Sequence, residues 1–204
     1  MENFKLVQSG INVMPALTEL ASHKALWSLH SERQTTPGSP HVDTQTIVLL
    51  GPQDGLTADA AFNCLQTKEF EGWQALRECR ILTSIVWDLV YAGRPGRVMV
   101  VKLKPGGFIT PHADEGVYAD TFERFHLSLD SLPGNVFYSE TREGCGEFVH
   151  MRPGELWWFN HKRSHHVCNM SDLPRLHLIV DCVASAYRRE RDGYAPSTIS
   201  GPDL

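Results

Sequence analysis

Two segments, ERFHLSL at 123–129 and RLHLIVD at 175–181, most constrain what this chain can fold into. Both alternate apolar and polar residues with a period of two, the period of a β-strand whose side chains point to opposite faces. In the first, Arg124, His126 and Ser128 share one face, and Phe125, Leu127 and Leu129 the other. In the second, Arg175, His177 and Asp181 lie opposite Leu176, Leu178 and Val180. The apolar faces must pack, which leaves the ionisable faces to line a wet interior. Cations there are costly unless an anion or a metal ion sits between them.

The surrounding pattern agrees with a β-architecture. After Gly96 the chain offers RVMVVKL, FITPHAD, ERFHLSLDS, LPGNVFYSE, EFVHMRPGELWWFN, SHHVCNM and RLHLIVDCV as strand candidates, most of them separated by Gly, Pro or Asn signals. Earlier, PALTELASHKALWSL carries helical spacing, TQTIVLL reads as a strand, and residues 57–80 read as helix or loop and helix. The segment ILTSIVWDLVYAG fits helix or strand equally by periodicity. The chain therefore divides into α/β elements over 1–95 that support a barrel and its substrate side, a β-core over 96–183, and a polar C-terminal tail over 184–204.

Metal-binding chemistry enters through spacing. His112 and Asp114, two residues apart beside a Pro-Gly-Gly turn, are expected on one face of a strand, and FNHKRSHHVCN offers His161, His165 or His166 as a third donor. Two imidazoles and a carboxylate on one face of an octahedral ion leave positions open for a cosubstrate and O₂, the pattern of non-haem Fe(II) oxygenases. A lone H-x-D is weak evidence, since the chain holds a second at His41 and Asp43, which reads as a loop or substrate-side element. His150 and His161 read as partly exposed loop residues, and Trp157 and Trp158 as core or an apolar wall.

Composition narrows the remaining classes. A net charge of −5 without a Lys/Arg-rich run argues against a nucleic-acid partner, and no stretch is apolar enough for a membrane span. Five widely spaced cysteines with no C-x-x-C pair fit free thiols of a cytoplasmic protein.

The ordered set VMVVKLKPGGFITPHAD, ERFHLSL, MRPGELWWFNHKRSHHVCN and RLHLIVD, over about residues 95–183, resembles the aspartyl/asparaginyl β-hydroxylase family of Fe(II)- and 2-oxoglutarate-dependent oxygenases, which includes bacterial proline hydroxylases. The resemblance implies a mainly β fold, a double-stranded β-helix or jelly roll of cupin-like form, with N-terminal helices packed on one face. It implies His112, Asp114 and His165 as iron ligands, His165 being preferred to His166 because the family ligand precedes an Asn by four residues, here Asn169. It implies Arg175 as the partner of the distal carboxylate of 2-oxoglutarate, with Arg124 and His126 lining the cosubstrate pocket. Because Asp114 completes a triad that the animal enzymes of the family lack, the expected substrate leans away from theirs.

The expected function is hydroxylation of an unactivated C–H bond of an amino acid, free or within a peptide or protein. Fe(II), 2-oxoglutarate and O₂ would take part, with ascorbate as an aid in vitro. The alternatives are a non-catalytic cupin-like metal-binding protein and a metal-dependent hydrolase or isomerase on the same scaffold. Two cations facing a dianion pocket favour the first reading.

Overall fold

The computed structural model describes residues 1–76, 80–91, 94–142 and 144–183. In chain order the elements are β1 (Phe4–Gln8), α1 (Met14–Ser22), a 3₁₀ turn (Lys24–Ser28), α2 (Glu32–Thr35), β2 (Thr44–Pro52), α3 (Ala58–Phe62), β3 (Thr67–Glu69), α4 (Glu71–Leu76) and α5 (Arg80–Tyr91). There follow β4 (Pro95–Leu103), β5 (Phe108–His112), α6 (Gly116–Thr121), β6 (Glu123–Asp130), β7 (Asn135–Glu140), β8 (Gly146–Val149), β9 (Leu156–Phe159), β10 (His165–Asn169) and β11 (Arg175–Cys182).

The strands form a seven-stranded sheet in the order β1-β9-β6-β11-β4-β2-β3 and a four-stranded sheet in the order β5-β10-β7-β8. All pairings are antiparallel. From β4 onward the chain passes repeatedly from one sheet to the other, which is the double-stranded β-helix, and the fold is mainly β. The N-terminal strands β2 and β3 lengthen the large sheet at one edge, and β1 closes the other.

The alternation expected for β6 and β11 decides where the two cores lie. Phe125, Leu127, Leu129, Leu178 and Val180 face outward into a core shared with α1, α4 and α5 through Ala16, Leu20, Leu76, Leu82, Ile85 and Val86. The opposite faces point between the sheets, where Phe4, Leu103, Ile109, Phe137, Trp157, Phe159 and Val167 form a second core. Adjacent Trp157 and Trp158 thus belong to different cores, each satisfying its indole N–H on a carboxylate, Glu155 at 3.0 Å and Glu123 at 2.9 Å.

Packing settles the segment that periodicity left open. Leu82, Ile85 and Val86 recur at helical spacing and all three are buried, so α5 lies as a helix over the large sheet. Residues 57–80 yield α3 and α4 with the short strand β3 between them, and β1 answers to no strand read from the sequence. Cys64, Cys145, Cys168 and Cys182 are free thiols, while Cys79 lies outside the described residues. The polar tail over 184–204 also lies outside them.

The small sheet is tied to the large one by Asn169, at the end of β10. Its side-chain amide donates to the carbonyls of Leu103, Lys104 and Leu173, and its Oδ1 accepts from the amide and hydroxyl of Ser171. The side chain is buried, so its loss strands several polar groups without water. N169A should lower the unfolding free energy by about 2–4 kcal/mol, read from urea denaturation at neutral pH.

Candidate active site

Strand pairing brings His112 and His165 together. They are register partners at the ends of β5 and β10, with ring centroids 4.3 Å apart. Each Nδ1 sits 2.8 Å from a carbonyl two residues earlier, Thr110 for His112 and Arg163 for His165. A carbonyl can only accept, so the proton is on Nδ1 and the Nε2 lone pair is left for a metal. Burial first, then the neighbouring His112, lowers the His165 pKa to about 3, which keeps that lone pair available. His166 points to the other face of the sheet and stacks on Tyr138 at 4.5 Å.

Asp114 joins them by a different route from the one expected. β5 ends at His112, so no pleat places the carboxylate. Instead its amide donates to the His161 carbonyl at 3.0 Å, and Arg124 Nη1 donates to its Oδ2, leaving Oδ1 4.0 Å from His112 Nε2. Burial alone would raise its pKa, but Arg124, His161, His165 and His112 hold it well below the usual carboxylate range.

Arg124 is itself clamped by a bidentate pair to Asp181, its register partner on β11, at 2.8 and 3.0 Å. Tyr118 of α6 donates to Asp181 at 3.0 Å and accepts the Arg97 amide at 2.6 Å. Gly96 makes room for this knot, since a Cβ there would lie 2.7 Å from the Tyr118 hydroxyl and 3.0 Å from the Asp181 Cβ. The Arg97 guanidinium lies over the Tyr118 ring and donates to the carbonyls of Ala61 and Phe62, both at 2.7 Å. The cationic face of β6 thus finds its anions within the chain.

Arg175 does not. It is 4% exposed, and its one side-chain hydrogen bond among the described residues runs from Nη2 to Nδ1 of His177 at 2.8 Å. Because a guanidinium only donates, His177 accepts on Nδ1 and carries its proton on Nε2, a buried N–H without a partner. His126, 3.4 Å from the same Nδ1, likewise has a partnerless buried Nε2. Burial lowers the Arg175 pKa to about 9, still charged at neutral pH. The interior of the barrel therefore holds, besides His112 and His165, a cation and two unsatisfied ring nitrogens.

His161 is a correction to the sequence reading. It is 2% exposed rather than a loop-surface residue, and its carbonyl positions Asp114. Burial and then Arg124 lower its pKa to about 4. The second H-x-D also gains a place. Asp43 accepts the Phe108 amide at 3.0 Å and Lys104 Nζ at 2.5 Å, pinning the turn between β4 and β5, while His41 stands edge-on to His112 at 5.1 Å.

No group of three or more His, Cys, Asp or Glu side chains among the described residues is drawn up as a ligand set, Asp114 being held toward Arg124. The donor chemistry nevertheless fits a divalent iron. It comprises two imidazoles with free Nε2 lone pairs and one ionised carboxylate on the same side. The unpaired Arg175 fits an anionic cosubstrate.

A jelly roll with two such histidines and a carboxylate at its mouth has the layout of the non-haem oxygenase class. The aspartyl/asparaginyl β-hydroxylase family pattern matches residues 63–185, and the chain belongs to that family. It is 33% identical over 88 residues to the L-proline cis-4-hydroxylase of Rhizobium meliloti (strain 1021), covering 43% of this chain and 30% of that protein. It is 29% identical over 158 residues to the L-proline cis-3-hydroxylase 1 of a Streptomyces species, covering 76% and 50%. The chain thus spans half or less of the length of these relatives. In fold it is similar to a prolyl hydroxylase of Trichoplax adhaerens solved with a hypoxia inducible factor peptide, with a TM-score of 0.62 and 12% identity over 94% of this chain and 87% of that one.

The depressed histidines carry a stability signature. A group whose folded pKa lies below its unfolded value binds fewer protons when folded, so its stabilisation is complete above the unfolded value near 6.5 and is lost as pH falls. With His161 at about 4 and His165 at about 3, metal-free protein should lose about 1.4 kcal/mol per pH unit per histidine between about pH 6.5 and 4. Urea midpoints measured across that range test this, and a flat profile would mean that both rings are protonated in the fold.

Proposed function

We propose that the protein is an Fe(II)- and 2-oxoglutarate-dependent dioxygenase that hydroxylates a C–H bond of an amino-acid substrate. The observation that carries this reading is the buried, carboxylate-free Arg175 lying in the same barrel as the paired His112 and His165. A metal-binding module or a hydrolase would need the imidazoles but not the isolated guanidinium.

His112, His165 and Asp114 would hold the iron, and Arg175 would pair with the distal carboxylate of 2-oxoglutarate through its two-pronged fork. When bound, the iron and 2-oxoglutarate supply oxidative decarboxylation by O₂ to succinate and CO₂, with one oxygen atom delivered to a substrate C–H bond. The carbonyls of Thr110 and Arg163 hold the two imidazoles in the ligating tautomer. Arg124 keeps Asp114 ionised and aimed, and Asp181 keeps Arg124 in place. His126 and His177, neutral through burial, offer ring nitrogens to a polar ligand, while Phe137 and Phe159 keep water from the inner wall. L-proline, the amino acid named in both relatives, is the first to test.

The test is succinate formation with Fe(II), 2-oxoglutarate and ascorbate over a panel of amino acids and peptides, with products gaining one oxygen by mass. H112A and H165A should abolish turnover without unfolding the protein, whereas H166A should keep it, since that ring faces away from the site. R175M should raise the KM for 2-oxoglutarate by at least about 10-fold, the cost of a lost charge-assisted pair, with Fe(II) affinity little changed. An unaltered 2-oxoglutarate KM in R175M would remove the main support for the reading.

A further inference from the structure

The outer face of the large sheet carries a groove that has no part in the barrel interior. Along β4, Val98 and Val100 point outward into the core shared with the helices, and the same alternation turns Lys102 outward after them. Its register partners are Gln45 on β2 and Leu176 on β11. Two cavities of about 450 and 430 Å³ open over this row. Both are lined by Gln45 and Lys102, so they adjoin.

The first cavity has an apolar floor and a cationic rim. Leu17 and Leu20 of α1, with Leu176 of β11, form the margin of the outer core there. Trp27 of the 3₁₀ turn stands beneath the Lys102 ammonium, with Nζ 4.3 Å from its ring centroid, and Lys24 of the same turn brings a second ammonium. The adjoining cavity adds Lys104, which is paired with Asp43. Asp43 is the one carboxylate in either lining, so among the described residues the charges of Lys24 and Lys102 go unmatched. Burial lowers the Lys102 pKa, the direction expected of an ammonium with no carboxylate beside it. Two unmatched cations on a chain of net charge −5 concentrate positive potential where the rest of the surface is acidic.

Charge and shape together restrict what fits. An inorganic anion would meet the ammoniums but leave Leu17, Leu20 and Leu176 uncovered. A neutral apolar molecule would cover the leucines and leave the ammoniums unmatched. We propose that this groove binds an anionic amphiphile, a free carboxylate with a medium-length aliphatic body, its head between Lys24 and Lys102 and its chain over Leu17, Leu20 and Leu176. A cavity of several hundred Å³ with apolar walls and a few converging polar groups is the usual form of a small-molecule site. Lysine, a point charge on a flexible stem, suits a single carboxylate without a fixed fork. The groove lies on the opposite face of β4 and β11 from Arg175, and it is independent of the oxygenase reading.

The test titrates decanoate into the protein, well below its micelle concentration, with decanol run beside it and with calorimetry and tryptophan fluorescence as readouts. Decanoate should bind saturably, one molecule per chain, and decanol about 10-fold more weakly, the loss of two rim ion pairs. K102M and K24M keep the apolar stems, and each should weaken decanoate binding by about 5-fold. K102R should restore most of the affinity, and W27F should remove most of the fluorescence response. K68M, which alters a lysine of β3 outside the groove, should bind as the parent does. Equal affinities for decanoate and decanol would overturn the assignment, as would a parent-like affinity in K102M or, should that variant not fold, in K24M. Loss of decanoate binding in R175M with K102M unaffected would put the anion in the barrel instead. The absence of saturable binding, or binding only to vesicles containing phosphatidylglycerol, would equally defeat the proposal.

Discussion

The ion pair between Arg124 and Asp181, side by side on β6 and β11, is the constraint around which the mouth of the barrel is arranged. Both side chains are largely withdrawn from water, with 15% and 1% of their side-chain surface exposed. Each would be expensive alone, and removing one partner of such a pair costs about 3–5 kcal/mol because the other charge is left buried. The bidentate contact uses Nε and Nη2 of the guanidinium, which leaves Nη1 for Asp114. The remaining carboxylate capacity of Asp181 is taken by Tyr118, so α6 is anchored to the same knot. The loop that carries Asp114 is thus braced from both ends, by β5 before it and α6 after it.

The interior is graded by how each charge is balanced. Arg124 is matched by two carboxylates, which together raise its pKa above the ordinary value despite burial. Among the described residues Arg175 and Arg33 have only uncharged partners, and burial weakens their hold on the proton without removing it. The imidazoles between them are kept neutral by burial, which suits them to donate lone pairs rather than to compete for anions. Such a gradient sets a zone of neutral imidazoles apart from zones of uncompensated cations without any wall between them.

Much of this was legible from period-two alternation. The faces of β6 and β11 could be assigned residue by residue, and the pairing of His112 with His165 follows the ordered family motifs. Asp114 was placed for the wrong reason, because the strand stops at His112 and a hydrogen bond to His161 takes over from the pleat. His161 itself looked like a loop residue, as nothing local signals that a non-strand histidine will be covered by distant groups. The Arg124–Asp181 pair needed the register of two strands separated by half the sheet crossings, which alternation does not supply. Arg33 carries no such signal, since four helical residues in a Pro/Gly-rich stretch have no pattern that says which of them turns inward, whereas His41, read as a loop or substrate-side element, does lie against His112.

The strand β1 has a consequence for how the chain reaches this state. Phe4 stacks on Phe159 at 5.3 Å and meets Phe137 edge-on at 5.5 Å, so the first strand completes the core between the sheets with residues made near the end of the described chain. During synthesis β1 emerges before its neighbour β9 and waits for it while the chain between them is laid down. Pairings of such long separation close late and slow folding. Until then the edge of β9 is an open template, and the interval is when another copy's strand could take the place of β1.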